Sequence, residues 1–236
     1  MRRARIRSAF DLLVTFLMGA AAVAMLWRLL ADGNASAVPP RSASPVEDVR
    51  AAALVTPVDA LRAKGNAAAS VVLIEFGDFE CPYCGRYARD TFGSLEREFI
   101  DTGKVRYAFR HLPSPRHRFA RPAARAAECA AHQSRFWEMH RFLYENQTRF
   151  ADAVWLTRAT GDSIDVRQLE ECLGDSDESR IQADLAEASR LKVQGTPTFL
   201  VGQPDGKGNV RIWSRINGAQ PYTVFRDALN RLLAES

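Results

Sequence analysis

Two cysteines separated by two residues form the pair in this sequence best suited to chemistry. Cys81 and Cys84 make a Cys-x-x-Cys motif, which can act as a dithiol–disulfide redox pair or as half of a zinc site. Zinc would require a second ligand pair at suitable spacing, and the nearest candidates, Cys129 and His132, lie in a helical region. We therefore favour redox use of Cys81 and Cys84, with no metal and no cofactor expected.

The surrounding pattern places Cys81 at the start of a helix. Residues 71–76 (VVLIEF) form a short apolar, β-branched run that is typical of a buried strand. A turn follows, and apolar residues then recur at helical spacing over 82–100, with Pro82 suited to the first turn. Unpaired backbone N–H groups and the positive end of the helix dipole stabilise a thiolate at such a position. Cys81 is thus the predicted nucleophile, and Cys84 the resolving thiol.

The remaining elements predict an α/β fold. Residues 104–110 alternate in the manner of a second strand, and amphipathic helical patterns fill 119–190. Strand patterns return at 198–201 and 210–216, and a last helix is expected at about 221–233. The order is therefore strand–helix–strand, a block of helices, and strand–strand–helix.

The first residues predict export across a membrane. An arginine-rich start (MRRARIR) precedes an apolar run at 12–27, and positive charge before such a run sends the rest of the chain across. The run is short for a spanning helix, which needs about 20 residues, whereas Ala35-Ser36-Ala37 has the small-x-small pattern of a cleavage site. A retained anchor is favoured, and a cleaved signal peptide remains the alternative.

Composition gives the domain boundaries and excludes one class of partner. Residues 1–31 are assigned to the signal-anchor or signal peptide, 32–69 to an Ala/Ser/Pro-rich linker, and 70–236 to the exported domain, with helices inserted at about 113–191. Of the 32 Lys and Arg residues, five fall within 1–37, against two of the 28 Asp and Glu residues. The body is therefore nearly neutral, which argues against nucleic-acid binding.

Two motifs together resemble a known family. The segment VVLIEFGDFECPYC and the later GTPTF look like the DsbA-like thioredoxins, which are exported disulfide oxidoreductases of bacteria. The stretch AAECAAHQSRFWEMHRFLYE is similar to the first helices of that family's insertion, and the resemblance covers about 69–233. It implies a thioredoxin fold with an inserted helical domain, and the activity of a protein thiol–disulfide oxidoreductase.

The resemblance also implies roles for residues around the pair. Gly195-Thr196-Pro197 resembles the loop whose proline adopts a cis peptide opposite the cysteines. Thr196 would pair its backbone with a substrate strand, with Pro82 and Tyr83 beside the bound substrate. A simple turn before the strand at 198–201 is the alternative.

Glu75 matches the acid that thioredoxin-like proteins place beneath the cysteines. Burial would raise the pKa of its carboxyl group, which could then take the proton of Cys84; the alternative is a partly solvated edge residue. Asp78 and Glu80 would oppose thiolate formation at Cys81, and Tyr83 replaces the histidine of the family's best-known strong oxidant. The reduction potential, and hence the direction of exchange, is therefore left open.

The other two cysteines, Cys129 and Cys172, both fall in the helical insertion, where some members of the family pair cysteines. A structural disulfide between them is favoured over two buried thiols in an oxidising compartment.

The expected function is oxidation of cysteines in reduced or misoxidised exported proteins, in the periplasm or cell exterior. The protein is expected to be a monomer tethered to the cytoplasmic membrane by its N-terminal helix, with a quinone-linked membrane oxidase as redox partner. A reductase or isomerase supplied by a membrane electron donor is the alternative. A thiol-based metal-delivery protein is less favoured, because the chain lacks the additional Met, His or Cys ligands of a copper or zinc site.

Overall fold

A mixed seven-stranded sheet forms the centre of the structure, a computed structural model that describes residues 44–150, 163–175 and 177–236. The strand order is β1-β7-β6-β4-β5-β3, and β2 also pairs with β7. The strands are β1 (Val46–Asp48), β2 (Val55–Pro57), β3 (Ala63–Lys64), β4 (Val71–Gly77), β5 (Val105–His111), β6 (Thr198–Pro204) and β7 (Asn209–Asn217).

Within the described residues, six helices accompany the sheet. Helix α1 consists of four consecutive segments, α-helical at Pro82–Tyr87 and Gly93–Leu95 and π-helical at Ala88–Phe92 and Glu96–Ile100. The described helices between β5 and β6 are α2 (Ala120–His132), α3 (Phe136–Glu145), α4 (Val166–Gly174) and α5 (Ser179–Arg190), and α6 (Tyr222–Leu233) follows β7. Single 3-10 turns occur at Arg50–Ala52, Ala60–Arg62 and Gln147–Arg149.

Strand β4 sits in the middle of the sheet and is buried along its whole length. It pairs in parallel with β5 and antiparallel with β6. Its side chains alternate between two faces: Val71 and Leu73 pack in the same cluster as residues of α1 and α6, whereas Ile74 and Phe76 pack with Ala188 of α5. Because both faces are covered, the strand has the continuous apolar sequence that predicted it.

The α/β prediction is confirmed, and so is the thioredoxin fold with a helical insertion between β5 and β6. The strands predicted at 71–76, 104–110, 198–201 and 210–216 correspond to β4, β5, β6 and β7. The part of the predicted helical block at 151–162 lies outside the described residues.

The linker expected at 32–69 requires correction within its described part. Strands β1 and β2 pair antiparallel with β7, and β3 pairs with β5, so this segment extends the sheet on both sides. Arg62 is buried beside the carboxylate of Asp184 on α5, which also accepts hydrogen bonds from Arg110 and from the backbone N–H of His111 at 2.9 and 2.8 Å. Backbone pairing and a buried ion cluster therefore hold residues 46–64 against the rest of the domain. Neither produces a periodic pattern of apolar residues, so nothing in the sequence indicated them.

The membrane assignment is also corrected. Among the residues that the structure describes, none of the helices is both long and apolar enough to cross a membrane. This finding goes against the predicted signal-anchor and transmembrane helix, and the segment on which they were placed, 1–31, lies outside the described residues.

Candidate active site

The loop between β4 and α1 holds Cys81 at the N-terminus of the helix. The backbone N–H of Cys81 donates to the carbonyl of Asp78 at 3.1 Å, its own carbonyl accepts from Gly85 N–H at 3.1 Å, and Pro82 is the first helical residue. Cys81 keeps 5% of its surface exposed, whereas Cys84, one turn further, is fully enclosed. Both are free thiols in the structure. The N-terminal sulfur is thus the accessible one.

The two thiols have opposite acidities. A hydrogen bond from Cys84, assisted by Thr196 and by the backbone N–H groups of Cys84 and Tyr83, outweighs burial and lowers the pKa of Cys81 to about 5. Burial, the hydrogen bond to Cys81 and the charge of Glu75 raise the pKa of Cys84 well above its ordinary value. The reduced pair therefore carries a thiolate at Cys81 and a neutral thiol at Cys84 near neutral pH.

A groove opens beside Cys81. The Sγ of Cys81 lies 3.5 Å from the carbonyl oxygen of Thr196, and the peptide bond between Thr196 and Pro197 is cis. Thr196 also lines a cavity of about 540 Å³, whose walls are 112–117 on one side and 193–196 with Leu185 on the other. The wall of this cavity at Thr196 is therefore the part that contacts the sulfur of Cys81.

Glu75 lies in the sheet on the same face as Val71 and Leu73, the face covered by α1. It is fully buried, its Oε2 accepts a hydrogen bond from the hydroxyl of Tyr107, and its Oε1 finds no partner among the described residues. Burial, opposed by the Tyr107 hydrogen bond and aided by the charge of Cys81, raises the pKa of Glu75 to about 8. A carboxyl group that holds a proton near neutral pH thus stands behind the buried thiol.

A comparison of the whole chain with known families agrees with this geometry. The family model described as thioredoxin matches residues 59–212. This chain belongs to the thioredoxin family.

Solved structures place it in the DsbA-like part of the thioredoxin superfamily. BdbD from Bacillus subtilis superimposes with a TM-score of 0.62 at 24% identity, over 76% of this chain and 96% of that one. DsbA2 of Pseudomonas aeruginosa superimposes with a TM-score of 0.56 at 27% identity, over 72% and 93%. The prediction of a DsbA-like member of the thioredoxin superfamily is confirmed.

Curated relatives are longer proteins. The Na(+)/H(+) antiporter NhaA 3 of Salinispora tropica is 40% identical over 152 residues, which are 63% of this chain and 23% of the antiporter. The first curated relatives are covered over 23% to 26% of their own lengths. The similarity to this thioredoxin-family chain is therefore confined to about a quarter of each antiporter.

The structure brings most of the predicted site residues of this thioredoxin-family protein together. Cys81 contacts both Cys84 and Thr196, Pro197 follows Thr196 and is buried, and Glu75 lies close enough to both thiols to influence their acidity. Two residues flank the nucleophile on α1: Pro82 begins the helix, and Tyr83 is 57% exposed with its ring 5.1 Å from the guanidinium of Arg86.

Cys129 and Cys172 form a disulfide that joins α2 to α4 across 43 residues. Cys129 therefore cannot serve the Cys-x-x-His zinc site that the sequence left open with His132. Within the described residues there is also no group of three or more His, Cys, Asp or Glu side chains arranged to hold a metal.

Two residues at the site, Gln147 and His117, had no assigned role in the sequence analysis, and a third, Asp78, had a different one. The side-chain amide of Gln147 donates to the carbonyls of Phe79 and Cys81 at 2.7 and 2.9 Å, fixing the loop from the side of the insertion. The carboxylate of Asp78 contacts His117 instead of facing Cys81. The sequence around Gln147 gives no indication of its contact with the active-site loop, 66 residues away. Asp78 lies three residues before the nucleophile and was considered, but its contact with His117 was not predicted.

Proposed function

We propose that this protein oxidises pairs of cysteines in proteins outside the cytoplasm. A client thiolate attacks Sγ of Cys81 in the oxidised pair, the Cys81–Cys84 bond breaks, and its electron pair goes to Cys84, which takes a proton from Glu75. A second client thiolate then attacks the client sulfur of the mixed disulfide and displaces Cys81 as a thiolate. The client loses two electrons and the cysteine pair gains them.

The observation that carries this proposal is the unequal acidity of the two thiols. Because Cys81 is stabilised as a thiolate, with a pKa of about 5, the reduced form of the pair is favoured and the oxidised form is a strong electron acceptor. The buried Cys84 is protected from other thiols, so it reacts with the mixed disulfide at Cys81 and limits its lifetime. A reductase would have a nucleophile of higher pKa, such as the value of about 7 in thioredoxin.

The compartment is inferred from the second cysteine pair. A disulfide such as Cys129–Cys172 persists in oxidising surroundings and is rare in reducing ones. This supports an exported protein acting on exported clients that carry reduced or misplaced cysteines, and we place it in the periplasm or at the cell exterior.

Turnover requires a second partner that removes electrons from the reduced pair. We propose a quinone-linked oxidase of the membrane for this role. A reductase would use an electron donor instead, and the low pKa of Cys81 argues against it. An isomerase supplied by an electron donor is the remaining alternative.

The test is oxidation of a reduced dithiol peptide by the oxidised full-length protein, followed by mass spectrometry. We expect one peptide disulfide per protein and no reaction in Cys81→Ser. In Cys84→Ser, which cannot form the active disulfide, the Cys81 thiolate should instead attack the oxidised form of the peptide, and the peptide–Cys81 mixed disulfide should accumulate because the resolving thiol is missing. The double variant Cys129→Ser/Cys172→Ser is the matched control and should remain active at temperatures where it is folded. Full activity in Cys81→Ser would refute the proposal.

A further inference from the structure

A second polar pair, Asp78 and His117, lies beside the cysteines and takes no part in the chemistry described so far. Nδ1 of His117 is 2.7 Å from Oδ2 of Asp78, whose side chain is fully buried. The same carboxylate accepts the backbone N–H groups of Ser114 and Glu80, each at 2.8 Å. These bonds fix the carboxylate, and the carboxylate in turn fixes which ring nitrogen of His117 points inward.

The other ring nitrogen of His117 is available to the groove. Nε2 makes no hydrogen bond within the part of the chain that the structure describes, and the side chain is 29% exposed. His117 lines the same cavity as Thr196, whose carbonyl oxygen contacts Sγ of Cys81, and the backbone carbonyl of Asp78 accepts the N–H of Cys81. The imidazole therefore lines the cavity whose Thr196 wall is in contact with the sulfur of Cys81.

The charged groups around His117 raise the pKa of its ring. Burial lowers the pKa, but the hydrogen bond and charge of Asp78 and the charges of Glu80 and, in the reduced protein, Cys81 together raise it above its ordinary value. Arg116 is its neighbour in the same loop, and the facing wall at 193–196 carries no charged side chain. Histidine is the side chain whose ordinary pKa lies nearest neutrality, so it can both take up and return a proton.

We propose that His117 exchanges a proton with the sulfur of the client during disulfide transfer, and that Asp78 is its positioning residue. The inference rests on the proposed oxidoreductase function and adds a catalytic group to it. As the client S–H attacks Cys81, its proton moves to Nε2 of His117 while the new S–S bond forms and Cys84 departs. In the reverse direction the imidazolium returns the proton to the departing client sulfur.

The need for such a group follows from the acidity of ordinary thiols. An unperturbed cysteine has a pKa of about 8.5, so only about 1% of it is thiolate at pH 6.5, and only the thiolate attacks. A base beside the client sulfur allows the protonated thiols to react as well. Because about 1% of the thiol is ionised without the base, the rate of attack can rise by at most about 100-fold. A thiol that is already ionised gains nothing from the base.

The experiment compares two thiols at pH 6.5 in single-turnover reactions with the oxidised full-length protein. One is a reduced dithiol peptide with ordinary cysteines; the other is thionitrobenzoate, an aromatic thiol that is ionised at this pH. In His117→Ala we expect oxidation of the peptide to slow by about 10-fold or more, with the thionitrobenzoate rate unchanged. His117→Gln, whose amide can still donate to Asp78 but cannot take the proton, should behave in the same way.

His132→Ala is the matched control, since His132 is an exposed histidine beside the second disulfide and should leave both rates unchanged. Unaltered peptide oxidation in both His117 variants would overturn the inference. So would equal slowing with both thiols, which is what loss of a positive charge beside Cys81 would cause. A wild-type protein that oxidises neither thiol would instead refute the proposed function itself.

The positioning role of Asp78 has its own readout. In Asp78→Asn, NMR titration of the His117 ring should show a lower pKa than in the wild type, and peptide oxidation should slow at pH 6.5. An unchanged His117 titration would contradict this role, because a purely structural contribution of Asp78 would not alter the acidity of the imidazole.

Discussion

Replacing Cys84 should change the acidity of Cys81 according to whether the new side chain can donate a hydrogen bond. The bond from Cys84 is the largest cause of the low Cys81 pKa of about 5. Hydrogen bonds to charged groups contribute about 1.5–3 kcal/mol, and one pKa unit corresponds to about 1.4 kcal/mol. Loss of the donor in Cys84→Ala should therefore raise the Cys81 pKa by about 1–2 units, to about 6–7, whereas the hydroxyl in Cys84→Ser should keep it near the wild-type value.

The assay is the pH dependence of alkylation by iodoacetamide. Cys81 is then the one free thiol of either variant, because Cys129 and Cys172 are joined in a disulfide. The rate should reach half its maximum near pH 5 in Cys84→Ser and at distinctly higher pH in Cys84→Ala. Identical midpoints in the two variants, or a midpoint near the ordinary value of 9.0 in Cys84→Ser, would refute the assigned hydrogen bond.

Three further predictions concern stability. The folded-state pKa of Glu75 is raised to about 8, so its stabilising contribution is complete below about pH 4.5 and is lost as the pH rises through 8. In urea unfolding of the reduced proteins, Glu75→Gln should therefore become more stable than the wild type as the pH rises, by a few kcal/mol at pH 9. A stability difference that does not change with pH would contradict this. Cys129→Ser/Cys172→Ser should lose about 4 kcal/mol, the chain-entropy value for a separation of 43 residues, and a loss below about 1 kcal/mol would mean that the unfolded chain is not constrained by this bond. Gln147→Ala removes the amide donor from the carbonyls of Phe79 and Cys81, of which the second keeps its bond from Gly85, and should cost about 1–3 kcal/mol and speed hydrogen exchange in the active-site loop. Hydrogen exchange in this loop as slow as in the wild type would contradict the role of Gln147.

Local sequence pattern predicted the elements that carry the redox pair. The apolar run at β4 and the helical spacing after Pro82 depend on burial of nearby side chains, and such burial leaves a period in the sequence. Strands β1, β2 and β3 were missed, because they are two or three residues long and depend on backbone pairing with β7 and β5. The buried position of Arg62 depends on Asp184, 122 residues away, so no local pattern could reveal it.

The site was predictable where one motif contains both partners and obscure where partners are distant in sequence. Cys81 and Cys84 share a helical turn, so spacing alone predicted their contact. The contacts of Asp78 with His117 and of Gln147 with the active-site loop join residues 39 and more positions apart, and they depend on how the insertion packs beside the sheet. The sequence analysis considered Asp78 only for its charge near Cys81 and did not predict its hydrogen bond with His117.

The reduction potential of the Cys81–Cys84 couple tests most directly whether the pair is an oxidant. A nucleophile pKa of about 5 lies between the values of about 7 in thioredoxin and about 3.5 in DsbA, whose potentials are about −270 and −120 mV. Since one pKa unit is worth about 30 mV for a two-electron couple, equilibration with glutathione should give a potential of about −160 to −210 mV. A value at or below about −270 mV would contradict the proposal, because such a pair would donate electrons to client disulfides.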